Sequence, residues 1–265
     1  VVVDVVWDIN LRANLRLWPE PLPNVRSLAA AIGSPWDETQ IATEYFGAEP
    51  GEDRRRAVRQ TYEAMAYEGL VHRTSEGILE ATRLGDFVLR FLGLTGDRTF
   101  ICDANRAIAA GPMIYGLSII TEVRVIWSLM RMLDNRLSNE ELNRAMARIH
   151  STADVTATAA SIRSTRESGD VADIGPRLYD DAGYGTGNES DQRKAMNPHF
   201  LLAGGGGLFI SVDAGERRLH PSVLRQIDGA LRSSPRQIHA GTESQIIQAI
   251  ARASMAPRHY MKDAS

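Results

Sequence analysis

The sequence predicts a mainly α-helical protein with small β-hairpins, an α+β chain that carries two helical units in tandem. Three observations lead there. Apolar residues recur at helical spacing through most of the chain. Glycine and proline fall where those periodic segments stop, as at Gly33, Gly47 and the Pro50-Gly51 pair. Two stretches, 70–81 and 200–211, instead hold short apolar runs on either side of glycine, the pattern of a hairpin.

Composition sets the outer limits. With 265 residues, 43% hydrophobic and 24% charged, the chain has enough apolar side chains for a packed core and room for more than one domain. Its longest apolar stretch, 107–120, contains Gly111, Pro112 and Gly116, which argues against a membrane span. No secretory signal is visible, and Cys102, the only cysteine, allows neither an intrachain disulfide nor a thiol zinc cluster. A cytoplasmic protein is expected, associated with the nucleoid if it binds DNA. Position 1 is Val rather than Met, so a processed or shortened start is expected. The net charge of −3 gives no overall basic signature. Lys194 and Lys262 are the only lysines among 30 basic residues, a bias expected of a GC-rich genome. Arginine nonetheless offers a planar fork suited to phosphate and guanine edges, so its local placement matters.

Residues 1–23 read as an arm that ends in Pro19, Pro21 and Pro23, and 24–93 as the first domain. Asn24 is the expected N-cap of a helix over 25–32, closed by Gly33. Ser34, Pro35 and Trp36 open a second helix with Ile41, Ala42 and Phe46 on its core face. A third spans 52–68, with Ala57, Val58, Tyr62, Met65 and Ala66 on one side and Arg54, Arg55, Arg56 and Arg59 crowding its first turns. A strand at 70–73, a turn at 74–77 and a strand at 78–81 form the hairpin, and a last helix runs from Arg83 toward Leu92.

From Gly69-Leu70-Val71 through Gly77 to Ala81-Thr82-Arg83-Leu84-Gly85, the chain resembles bacterial winged helix-turn-helix proteins. A "GLV" strand, a glycine-tipped wing and an "LTxLG" start to the last helix recur in them. The resemblance covers about a quarter of the chain. It implies a winged helix, a fold that serves DNA recognition but also dimerisation and protein contacts.

Residues 94–120 read as a linker with an apolar helix, and 121–235 as a second, winged-helix-like domain with a polar insertion at 179–197. There, 122–133 is helical with a core face of Val125, Ile126, Leu129, Met130 and Leu133. Ser138-Asn139-Glu140-Glu141 is a capping box for a helix to about 149. A helix at 153–167 carries Arg163 and Arg166. Residues 200–203 and 208–211, joined by Gly204 to Gly207, read as a second wing, and 221–231 as a helix. The segment 236–265 reads as a C-terminal helix over 243–253 with a tail. The apolar faces of 108–120 and 246–253 are candidate dimer surfaces.

Arg54, Arg55, Arg56 and Arg59 are the leading DNA-contact residues, because the front of the third helix is the part that enters the major groove. The alternative is a solvated face steadied by Glu52 and Asp53 at the helix N-terminus. Arg73 in the wing is a candidate for phosphate or minor-groove contact. Arg163 and Arg166 are candidates for the same part in the second unit, set against a role in surface ion pairs. Neither a cofactor nor a metal is expected: the six histidines lack metal-binding spacing, and no Lys-Ser/Thr follows the glycine run. Glu189, Asp191 and Lys194 come closest to a nuclease set, but their spacing does not match one, so no reaction is assigned. The expected partner is double-stranded DNA, read by a transcriptional regulator, with a homodimer on two half-sites as one arrangement. The alternatives are the DNA-recognition part of a restriction or phage-defence complex and a winged-helix protein-interaction module.

Overall fold

A computed structural model describes residues 2–7, 23–47, 50–67, 69–91, 114–178, 203–204, 208–213 and 215–233. Among them the protein is mainly helical with small antiparallel sheets.

The first unit starts with α1 (Pro23–Ala30), which sends Val25, Leu28 and Ala29 into the core. Asn24 lies inside this helix rather than capping it, because the helix begins at Pro23, whose fixed φ suits a first turn. Ser34, Pro35 and Trp36 do not open the second helix. They run extended, with Gly33 N–H donating to Leu79 O (2.8 Å) and Trp36 N–H to Gly77 O (2.8 Å). The helix start passes to Asp37, whose carboxylate accepts from the Thr39 and Gln40 N–H groups, both at 2.9 Å, and opens α2 (Glu38–Phe46).

Next comes α3 (Glu52–Tyr67), which buries Val58, Tyr62, Met65 and Ala66. β1 (Val71–Arg73) pairs antiparallel with β2 (Leu79–Ala81), and α4 (Arg83–Phe91) follows. Residues 33–36 lie along the outer side of β2, so the returning strand is central.

The Thr82-Arg83-Leu84-Gly85 motif acquires a physical reason. Buried Thr82 donates its hydroxyl to Gly69 O and accepts from Gly85 N–H at 2.9 Å. Its own N–H donates to Leu70 O (3.0 Å). A Cβ on Gly85 would stand 1.7 Å from Leu70 O, so only glycine lets α4 start against the end of α3.

The second unit repeats this order. α5 (Thr121–Met132) buries Val125, Ile126, Leu129 and Met130. β3 (Arg136–Ser138) leads into α6 (Asn139–Arg148), which has the expected capping box: Ser138 Oγ accepts from Glu141 N–H, and Glu141 accepts from Ser138 N–H. A 3-10 turn at Thr152–Asp154 precedes α7 (Val155–Ser168). β4 (Phe209–Asp213) and β5 (Glu216–Leu219) form a hairpin, followed by a 3-10 turn and α8 (Leu224–Arg232). The sheet order is β3-β5-β4, again with the returning strand in the centre.

β4 pairs with β5 across a turn that holds Gly215 at φ 93°, and of the segment 200–203 read as its partner, 200–202 lie outside the described residues. β5 reads Glu216-Arg217-Arg218-Leu219, with one apolar residue and no alternation to mark it as a strand. Ala203 and Gly204 instead pack on the core: Trp127 Nε1–H donates to Ala203 O (2.7 Å), and the Phe209 ring lies against Gly204.

Residues 2–7 dock on the second unit. Val5 N–H donates to His150 O (2.8 Å), Thr152 N–H to Val3 O (2.8 Å) and the Trp7 indole to Ile149 O (3.1 Å). Of the apolar segment 108–120 read as a dimer surface, 108–113 lie outside the described residues, and Ile114, Leu117, Ile119 and Ile120 are buried within this chain. The other candidate surface, 246–253, lies outside the described residues, as do the insertion at 179–197 and Glu189, Asp191 and Lys194. No described helix is long and apolar enough to cross a membrane.

Candidate nucleic-acid interface

α3 has two chemically distinct sides. Its buried side packs against α1 and α2. The other carries Arg54, Arg55, Arg56 and Arg59 on consecutive turns at the surface, with 37%, 58% and 40% exposure for the Arg55, Arg56 and Arg59 side chains.

Carboxylates already engage three of these arginines. Arg55 donates to Glu52 through Nε (3.2 Å) and Nη2 (2.9 Å), and Arg56 to Asp53 (2.6 Å). Arg59 spans two acids, reaching Glu52 Oε1 through Nη2 (2.5 Å) and Glu38 Oε2 of α2 through Nη1 (2.7 Å). Hydrogen bonds from Arg59 and then Arg55 hold the Glu52 carboxyl below the usual carboxylate range. The Glu52 bond in turn raises the Arg59 guanidinium.

Arg73 is arranged differently. Its guanidinium lies over the rings of Tyr62 (4.8 Å) and Trp36 (5.3 Å), which are themselves 4.8 Å apart and tilted by 51°. The stack joins three pieces of the unit: the segment before α2, the middle of α3 and β1. Among the described residues no carboxylate pairs with Arg73. A stacked guanidinium keeps its in-plane donors, so this exposed residue is well prepared for an anionic partner.

Arg163 and Arg166 do not present their charge in this way. Arg163 donates to Met132 O through Nε (3.1 Å) and Nη2 (2.6 Å). Arg166 makes a two-pronged pair with Glu141, Nε to Oε1 at 2.7 Å and Nη2 to Oε2 at 3.0 Å. It also donates to Leu133 O and Arg136 O. Both side chains therefore satisfy carbonyls at and beyond the end of α5, which favours a structural role for them over DNA contact. They do serve a helix C-terminus, but that of α5 rather than of their own helix. Burial pushes the Glu141 carboxyl up, yet the bonds from Arg166 and from Ser138 N–H outweigh it and the net direction is down.

Two features escaped the sequence reading. Glu52–Arg55 and Asp53–Arg56 are three residues apart, a readable helical pairing distance, but Glu38–Arg59 links residues 21 apart and needs the fold. The second is the Trp36–Tyr62 platform under Arg73. Among the described residues no three His, Cys, Asp or Glu side chains gather as metal ligands. No family model and no curated protein matches the chain.

Proposed function

We propose that the chain is a double-stranded DNA-binding protein built from two winged helix-turn-helix units, and that it serves as a transcriptional regulator. The first unit places α3 in the major groove and the β1–β2 wing along the backbone. One observation carries this reading: the exposed arginine row at the front of α3 stands beside a hairpin whose first strand carries the stacked Arg73. The similar order of helix, extended segment, two helices, hairpin and helix supports the tandem assignment: β3 lies beside β5 in the second unit, and the bridge Pro35–Ile78 stands at the matching place beside the two-stranded sheet of the first. The second unit contributes through its frame rather than through Arg163 and Arg166.

A titration against duplex and single-stranded DNA over a salt series tests the reading. Duplex affinity is expected to fall steeply with salt and to weaken on Arg55→Ala/Arg59→Ala. No duplex binding at low salt contradicts it.

A second reading has its own observation. Residues 24–93 hold eight arginines and eleven carboxylates, and the arginines on α3 are largely paired. That balance favours a winged-helix protein-interaction module, in which the same face meets a protein of mixed charge. Competition separates the two: a polyanion such as heparin displaces DNA but leaves a mixed-charge protein interface largely intact.

A further inference from the structure

The carboxylates on the arginine face raise a question that DNA binding alone does not answer. Glu52 and Asp53 suit the first turn of α3, but their pairing and that of Glu38 with Arg55, Arg56 and Arg59 works against a grip on phosphate. Glu52 is the hub: its two oxygens hold Arg55 and Arg59 together, while Glu38 fixes the other end of Arg59.

We infer that Glu52 is a specificity-determining residue of this face, withholding Arg55 and Arg59 from backbone phosphate while leaving them oriented for uncharged acceptors on base edges. The inference rests on the DNA-binding reading. A phosphate that takes a bond from Glu52 brings a second anion against the carboxylate, and repulsion opposes the exchange. A guanine edge offers the acceptors O6 and N7 without formal charge. It replaces a carboxylate bond at less electrostatic cost, and Glu52 stays on as the other partner of the same guanidinium. Random duplex, met mainly through phosphate, is therefore bound weakly. Discrimination comes from penalising the wrong contact as much as from rewarding the right one.

The test measures binding of a random-sequence duplex across a salt series for the wild-type chain, Glu52→Gln, Glu38→Gln and Arg55→Ala/Arg59→Ala, the last also combined with Glu52→Gln, and uses circular dichroism as a check on folding. Glu52→Gln is expected to tighten binding about tenfold at low salt and to steepen the log–log salt slope by about one to two. Glu38→Gln, which loosens only one end of Arg59, changes both in the same direction by less. If Glu52→Gln binds no tighter than wild type while Arg55→Ala/Arg59→Ala loses binding, the inference fails and the DNA-binding reading stands. Because Arg55 and Arg59 are withheld from phosphate in the wild type, Arg55→Ala/Arg59→Ala alone changes random-duplex binding little. If the tightening by Glu52→Gln survives when both arginines are also replaced, it does not pass through them, and the reading of this face fails and the inference with it. Should Glu52→Gln lose helix content, Glu38→Gln decides alone: tighter binding supports the inference, and unchanged or weaker binding overturns it.

Discussion

On α3 of the first unit, arginines stand at the surface and meet carboxylates that are themselves exposed. On α7, the helix at the same place in the second unit's order, Arg163 and Arg166 reach instead to the backbone that leaves α5. The second unit uses arginine this way elsewhere. Arg124 donates to Ala230 O, Leu231 O and Ser233 O at the end of α8, and Arg131 takes both oxygens of Asp228. Identical side chains, early in α3 and late in α7, thus do different work according to what lies within reach. An arginine near the open end of another helix becomes its cap. One on an outward turn remains available to a partner, at the cost of needing local acids to hold it.

The difference predicts where substitutions hurt. The largest effect is expected from Arg166→Met, which strands the buried Glu141 carboxylate and destabilises the second unit by about 3–5 kcal/mol in denaturant unfolding. The pH dependence follows from the lowered Glu141 carboxyl. In the wild type its contribution is complete above the ordinary carboxylate range and is lost as pH falls through the lower folded-state value. In Arg166→Met the largest of the lowering bonds is gone while the burial effect stays, so the acid-dependent loss at this site is expected to shrink. A wild-type-like acid profile in that variant breaks the contrast.

Gly85→Ala comes next, because its methyl would overlap Leu70 O. A loss of about 3 kcal/mol is expected, confined to the first unit. Thr82→Val removes the buried hydroxyl that joins Gly69 O to Gly85 N–H, for about 1–2 kcal/mol. The smallest stability change belongs to Arg55→Ala/Arg59→Ala, within about 0.5 kcal/mol per site, since exposed ion pairs contribute little. A stability loss there as large as that of Arg166→Met would mean the α3 arginines are structural after all.

Much of the frame was legible from local chemistry. The capping box at Ser138 and the core faces of α3 and α5 need only neighbours in sequence, and the structure places them as read. Misreadings arose where distant backbone decided. Pro35 and Trp36 looked like a helix start, but the hydrogen bonds to Gly77 O and Leu79 draw them into the sheet edge. β5 has Leu219 as its one apolar residue, so no alternation marked it as a strand and its pairing with β4 went unread. The arginines follow the same rule. Their clustering on α3 was visible in the sequence, whereas Arg59 meeting Glu38, Arg73 lying on Tyr62 and Arg166 reaching Glu141 all depend on tertiary contacts.

Hydrogen exchange with mass spectrometry, run with and without a duplex at low salt, tests the central contrast most directly. Slowed exchange across 52–60 and 71–81, with 155–168 unchanged, is the expected result. Slowing confined to 155–168, or no slowing in either segment under conditions where duplex is bound, would contradict the assignment of α3 as the DNA-facing helix.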